Sequence, residues 1–249
     1  MNLSIVMPCY NGEDYIEQSL NTLTGYLRDK KQIFGDFEII VVDDGSKDNT
    51  KNLICSKFPE IIFLHNTHNE GKGAAVRKGM LSATGAYSIF IDADMPFELE
   101  SLDMLFHYLD FKEYDVCIGT RNIANAQYFA PRSRARRLAS WLFTLIVSRL
   151  VVTGVRDTQC GLKGFRQDVA HYLFTESRIK GFAFDVEVLY LAYKNDFDIK
   201  RIPVFLVAEG HSTVSLLKHG PRMVVDILAI PLRWYTNKYV LYSHSPESE

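Results

Sequence analysis

The sequence predicts a mostly parallel α/β sheet with helices on both faces, and three observations lead there. Short runs rich in β-branched and aromatic residues alternate with helix-like runs from residue 3 onward, the rhythm of repeated strand–helix–strand units. Two of these runs, Phe37 to Val42 and Tyr87 to Ile91, read as buried strands. Each delivers paired carboxylates at its end, Asp43 with Asp44 and Asp92 with Asp94. Placing charge where a strand leaves the core is costly, and doing so twice points to a bound group that repays it.

The elements follow in order. Leu3 to Met7 is strand-like, and Ile16, Leu20, Leu23 and Leu27 recur at helical spacing. Glu38 to Val42 is a strand, followed by a helix from about Asp48. Ile61 to Leu64 is strand-like, Gly73 to Ala83 helical, Tyr87 to Ile91 a strand, Leu99 to Leu109 helical and Asp115 to Gly119 a strand. A helical run from Val186 to Tyr193 is introduced by Asp185, which reads as its N-cap. Right-handed crossovers make such strands parallel, and ligands then bind beyond their carboxyl ends. Pro8, Tyr10, Asn11, Asp43, Asp44, Asp92, Asp94 and Arg121 are therefore expected along one rim.

Length and composition set the frame. The 249 residues, 47% of them hydrophobic, suit one large domain. We expect a catalytic domain over residues 1–210 and an amphipathic helical segment over 211–249. A net charge of −2 gives no case for nucleic-acid binding through bulk charge. The four cysteines are dispersed without a Cys-x-x-Cys pair, which argues against a zinc site or a disulfide framework and fits a reducing compartment. The first residues lack a basic leader and a cleavage site, and no apolar run reaches the ~20 residues a spanning helix needs, so a cytoplasmic chain, peripheral to a membrane, is expected.

The acidic pairs suit hard Mg²⁺ or Mn²⁺, which take oxygen ligands and often bridge to phosphate. Asn69-Glu70-Gly71-Lys72-Gly73-Ala74-Ala75 lies between a strand and a helix. It reads either as a phosphate cradle at a helix N-terminus, helped by Lys72, or as a tight turn that lets the helix pack closely; beside two acidic pairs the phosphate cradle is the expectation. Its spacing is neither that of the dinucleotide fingerprint nor that of the P-loop. Pro131 to Arg137 carries four arginines and runs into the apolar stretch Leu138 to Val147. That pattern fits a protein lying on an anionic leaflet, or a buried helix with a solvated end. The segment Met223 to Leu241, ending with Trp234, Tyr235, Lys238 and Tyr239, has interfacial character too.

Taken together, SIVMPCYNGEDYI, EIIVVDDGSKDNT, NEGKGAAVRKG, FIDADMP, IGTRN and RDTQCGLKGF resemble family 2 glycosyltransferases over roughly residues 3 to 235. More narrowly they resemble the polyprenyl-phosphate sugar transferases, with Asp157 to Gly161 and Phe184 to Glu187 most similar to dolichyl-phosphate β-glucosyltransferases. The resemblance implies a GT-A fold, a nucleotide-sugar donor, a divalent metal, inversion at the anomeric carbon and a lipid-phosphate acceptor. By position it implies that Pro8, Tyr10, Asn11, Asp43, Asp44 and Lys72 serve the nucleotide sugar. Asp92 and Asp94 would hold metal, diphosphate or ribose, with Asp94 the foremost metal ligand. Arg121, Arg136 and Ser140 would grip the acceptor phosphate. Asp157 stands where related enzymes place a candidate base, and also where a structural carboxylate paired with Arg156 or Arg121 would stand. The donor the resemblance implies is UDP-glucose, with a GDP-mannose-dependent enzyme as the alternative; Pro96 stands where mannosyl relatives carry a metal-binding glutamine, which leans against mannose.

A phosphate monoester with a second pKa near ~6 is already anionic at pH 7 and needs no base. A rival transferase acting on a saccharide hydroxyl would need one, and Asp185 is its candidate.

Overall fold

The computed structural model describes residues 2–121, 160–207 and 216–242. In chain order these residues form β1 (Leu3–Cys9), α1 (Ile16–Asp29), α2 (Lys31–Phe34), β2 (Phe37–Asp43), α3 (Thr50–Lys57), β3 (Ile62–His65), α4 (Lys72–Ser82), β4 (Tyr87–Ile91) and α5 (Glu100–Asp110). There follow β5 (Val116–Arg121), β6 (Leu162–Arg166), α6 (Gln167–Glu176), α7 (Phe184–Lys194), β7 (Ile199–Val204) and α8 (Leu216–Tyr235). The strands make one seven-stranded sheet of order β3-β2-β1-β4-β6-β5-β7. β6 runs antiparallel to both of its neighbours, and every other adjacent pair is parallel.

Residue alternation explains why the sheet is covered twice. Val6, Ile40, Val42 and Phe90 face one side, where they pack with Ala75, Val76 and Met80 of α4 and with residues of α6 and α7. Ile5, Met7, Ile39, Val41, Ile89 and Ile91 face the other, against α1 and α5. Strands buried on both faces need apolar side chains at successive positions, which is why they read as continuous runs. On α1, the spacing of Ile16, Leu20, Leu23 and Leu27 places all four in the core, each contributing roughly 1.5–3 kcal/mol of transfer free energy.

The predicted elements appear with ends shifted by a residue or two, and two strands were not anticipated. β6 is short and carries a buried lysine, Lys163. β7 contains Pro203 and lies at the sheet edge, the place where a missing N–H is tolerated. α8 buries Met223, Ile227 and Ile230 in the same core as α4, α6 and α7, and Trp234 meets Tyr190 edge-on at 5.9 Å. No described helix is long and apolar enough to cross a membrane.

Candidate active site

The parallel strands end together, with Cys9 of β1 level with Asp43 of β2, and Asp43 level with His65 of β3. Beyond β1 the chain turns through Asn11, whose φ of 50° lies in the left-handed region that asparagine tolerates. The Asn11 N–H donates to Ser46 Oγ at 2.8 Å, and its Oδ1 accepts from the Lys47 N–H at 2.9 Å. Gly12 N–H donates to Thr50 Oγ1 at 2.8 Å, and Asn49 N–H donates to Glu13 Oε2 at 2.8 Å. The loops 10–13 and 45–50 are thereby zipped into one double loop at the rim.

Asp43 and Asp44 are turned into the protein. Asp43 is fully buried, with Oδ1 accepting from the Ser46 N–H and Oδ2 3.0 Å from His65 Nδ1. Asp44 Oδ1 accepts from Asn66 Nδ2 and from the Glu70 N–H, and Oδ2 accepts from the Gly71 N–H at 2.8 Å. Its charge organises the glycine-rich loop from below, since a carboxylate that accepts several N–H bonds holds them strongly.

That loop leads into α4 by close backbone packing. Gly71 has φ of 110°, and a Cβ at Gly71 or Gly73 would overlap the carbonyl oxygens of Lys180 or Ile179. The Ala74 N–H in the first turn already donates to Lys180 O at 3.2 Å. The glycines are accounted for by the approach of segment 179–181, and the tight-turn reading is the one the geometry fits.

Lys72, the first residue of α4, instead reaches across to β4, with Nζ 2.6 Å from Asp92 Oδ1. Both side chains are about a quarter exposed, so the pair faces solvent at the rim. Burial opposes the Lys72 ammonium, but Asp92, then Asp185 and Asp94, outweigh it and raise its pKa. Asp94 is partly buried in the turn after β4, and its charge acts on Cys9, Tyr15 and Lys72. The Cys9 thiol beside it is pushed up to about 12 by burial and by Asp43, so it is not a nucleophile at neutral pH.

Behind Asp92 lies the start of β6. The Asp92 N–H donates to Gly161 O at 3.0 Å, and a Cβ on Gly161 would collide with the Asp92 carboxylate. Two residues on, Lys163 is 1% exposed and its Nζ lies 2.7 Å from Asp185 Oδ1 and 2.6 Å from Cys160 O, under the Phe90 ring. Desolvation raises the Asp185 pKa, while Lys163 and then Lys72 oppose the rise. Asp185 was expected to cap α7, but the helix begins at Phe184 with Ala183 as N-cap and no side-chain cap bond. Asp185 sits inside the first turn and projects across to β6, so it cannot serve as the cap. Glu187, two residues on, is fully buried; Oε2 accepts from the Arg178 and Ile179 N–H groups, and Oε1 from Tyr239 Oη at 2.7 Å.

Asp92 and Asp94 can hold a divalent cation. Their donors are hard oxygens, both side chains are partly exposed, and the Lys72 ammonium shows that positive charge is favoured beside Asp92. No cluster of three metal-ligating side chains occurs among the described residues. A Mg²⁺ or Mn²⁺ held by the two aspartates would complete its shell with water and diphosphate oxygens.

The sequence model of Glycosyl transferase family 2 matches residues 4–174. The chain is a family 2 glycosyltransferase. The enzyme is 32% identical over 243 residues to a dolichyl-phosphate beta-glucosyltransferase of Dictyostelium discoideum, covering 93% of this chain and 74% of the relative. It is 35% identical to the Drosophila melanogaster protein of the same name, covering 98% and 78%. Among solved structures it is similar to the Mycobacterium tuberculosis glucosyl-3-phosphoglycerate synthase in complex with Mg²⁺ and UDP, with a TM-score of 0.67, 16% identity and 97% and 80% coverage. The same synthase has been crystallised with Mn²⁺ and UDP. The glycosyltransferase thus has a GT-A fold.

In this glycosyltransferase the rim gathers Pro8, Tyr10, Asn11, Lys72, Asp92 and Asp94, with Asp43 and Asp44 beneath them. Arg121 ends β5 on the same rim. Asp157, Arg136 and Ser140 lie outside the described residues, as does the arginine cluster at 131–137. Sequence reading gave no role to Lys163, although it lies within the RDTQCGLKGF segment. The one available signal was a lysine set between the apolar Leu162 and the Gly164-Phe165 pair of β6.

Proposed function

We propose that this enzyme transfers glucose from UDP-glucose to a polyprenyl phosphate, with inversion and with Mg²⁺ or Mn²⁺, while lying on a membrane surface. The reading is carried by the Lys72, Asp92 and Asp94 cluster at the end of β4, set in a chain whose relatives bear the name given above. Asp92 and Asp94 would hold the metal, which supplies positive charge to the diphosphate as it departs. Lys72 adds a second positive charge on the same side. Pro8, Tyr10 and Asn11 border the nucleoside, and Asp43 and Asp44 fix the loops around it. Arg121, Arg136 and Ser140 are assigned to the acceptor phosphate, for which the planar fork of arginine is suited. An anionic phosphate oxygen attacks the anomeric carbon from the face opposite the diphosphate. The carbon–oxygen bond to UDP breaks, and no proton need be removed. No base is then required of Asp157, and positioning supplies most of the rate.

Purified protein given labelled UDP-glucose, Mn²⁺ and polyprenyl phosphate is expected to move label into the organic phase. Label found only in water-soluble saccharide would defeat the reading.

The membrane part rests on α8. Val225, Leu228, Leu232 and Tyr235 are 49–74% exposed at spacings of three, four and three, so one stripe of the helix is apolar and uncovered while the other packs on the core. Val240 and Leu241 beyond the helix are exposed too, as are Arg222 and Lys238. Such a face fits the headgroup boundary of an anionic leaflet. Wild-type protein is expected to float with anionic liposomes, and the Val225→Glu, Leu232→Glu variant to remain in solution. Equal flotation of the two would assign binding to another surface.

A further inference from the structure

A lysine and an aspartate buried directly beneath the rim have no task in the chemistry above. Lys163 and Asp185 are 1% and 6% exposed at their side chains and 2.7 Å apart. Removing two charges from water costs several kcal/mol per ion, and replacing such a pair by apolar residues of similar size is often neutral or stabilising. Stability is therefore a weak reason for the pair to be there. Its surroundings supply a stronger one. Asp185 faces Lys163 on one side. On the other, its neighbour Phe184 packs against Gly73, next to Lys72, so closely that a Cβ at Gly73 would lie 2.7 Å from Phe184 Cβ; the Asp185 charge acts there on Lys72 and Asp92, and Lys72 ion-pairs with Asp92 at 2.6 Å. Charges thus alternate from the interior to the rim: Lys163, Asp185, Lys72, Asp92. The inner end is anchored to backbone, since Lys163 Nζ also donates to Cys160 O, next to the Gly161 carbonyl that receives the Asp92 N–H.

We propose that Lys163 and Asp185 are positioning residues that hold the Lys72 ammonium at the rim, where it meets the diphosphate of the donor. This rests on the donor reading above. When the diphosphate and its cation draw on Asp92, Lys72 loses its carboxylate partner at the surface. Asp185 remains behind it as a fixed counter-charge, and Lys163 keeps Asp185 in place. The ammonium then turns toward phosphate without leaving the site. Asp185 touches neither donor nor acceptor in this scheme, which separates it from a general base.

The test is donor binding, measured by calorimetry with UDP and Mn²⁺, alongside steady-state transfer. Asp185→Asn keeps the shape and an acceptor for Lys163. It is expected to weaken UDP binding about tenfold and raise the KM for UDP-glucose similarly, with a smaller effect on kcat and none on the KM for polyprenyl phosphate. Lys72→Met should do the same. Combined with Asp185→Asn it should add little, because both substitutions remove one interaction. Asp185→Glu should restore part of the binding. A large loss of kcat with unchanged UDP binding would make Asp185 a base and overturn the proposal, as would multiplicative effects of the two substitutions or wild-type affinity in Asp185→Asn. If Asp185→Asn does not fold, the Lys163→Met, Asp185→Leu double variant leaves no orphan charge. Folded with weakened UDP binding it upholds the proposal; folded with wild-type binding, or unfolded, it makes the pair structural and the proposal fails. Wild-type protein that binds UDP and Mn²⁺ but transfers nothing to lipid would count against the acceptor reading alone.

Discussion

Asp94→Asn is expected to lower transfer by at least about a hundredfold while the protein melts within a few degrees of wild type. The size follows from what a missing charge does at a departing diphosphate, where removing one stabilising group costs roughly 10²–10³ in kcat. The intact fold follows from the place of the residue: Asp94 lies in the turn after β4, partly exposed, outside both hydrophobic cores. Asparagine keeps the size and an acceptor oxygen but loses the negative charge that a hard cation needs. Enzyme assay at several Mn²⁺ concentrations checks this. Full activity at ordinary Mn²⁺ would remove Asp94 from the metal site, and activity restored by high Mn²⁺ would show weakened binding of the ion.

Gly161→Ala is expected to be nearly as damaging, by a steric route. A Cβ at 161 would stand within the Asp92 carboxylate, closer than real Cβ atoms come to any neighbour. Backbone relief is restricted, because Gly161 O already accepts the Asp92 N–H and β6 is held between β4 and β5. The carboxylate has to move, which breaks its 2.6 Å pair with Lys72. A displacement of about 1 Å at a positioning group can cost 10²-fold in rate. Measured kcat/KM for UDP-glucose should fall by about that factor, with a loss of melting temperature of several degrees. A variant with wild-type kinetics would mean that Asp92 tolerates displacement and contributes little.

The strand ends were legible because two physical signals coincided there. Apolar runs over Phe37 to Val42 and Tyr87 to Ile91 marked buried parallel strands, and carboxylates at their ends marked the rim. What the aspartates do there was less legible. A motif does not say which way a carboxylate points, and Asp43 and Asp44 are spent on His65, Ser46, Asn66 and the loop at 70–71. β6 escaped notice because a buried lysine interrupts its apolar pattern, and the partner that permits that lysine, Asp185, is 22 residues away. β7 escaped because Pro203 and the charged Lys200 and Arg201 read as loop, while only the sheet order shows it to be an edge. The glycines at 71 and 73 gave the right local feature and two readings of it, which only the approach of segment 179–181 could separate.

Crystals grown with UDP and Mn²⁺ give the most direct test of the central claim, that carboxylates at the carboxyl end of β4 hold the cation that binds the donor. The anomalous difference map should place Mn²⁺ against the Asp94 carboxylate, with the diphosphate beside Lys72. A Mn²⁺ peak on another face of the protein, or UDP bound away from the ends of β1, β2 and β4, would contradict it.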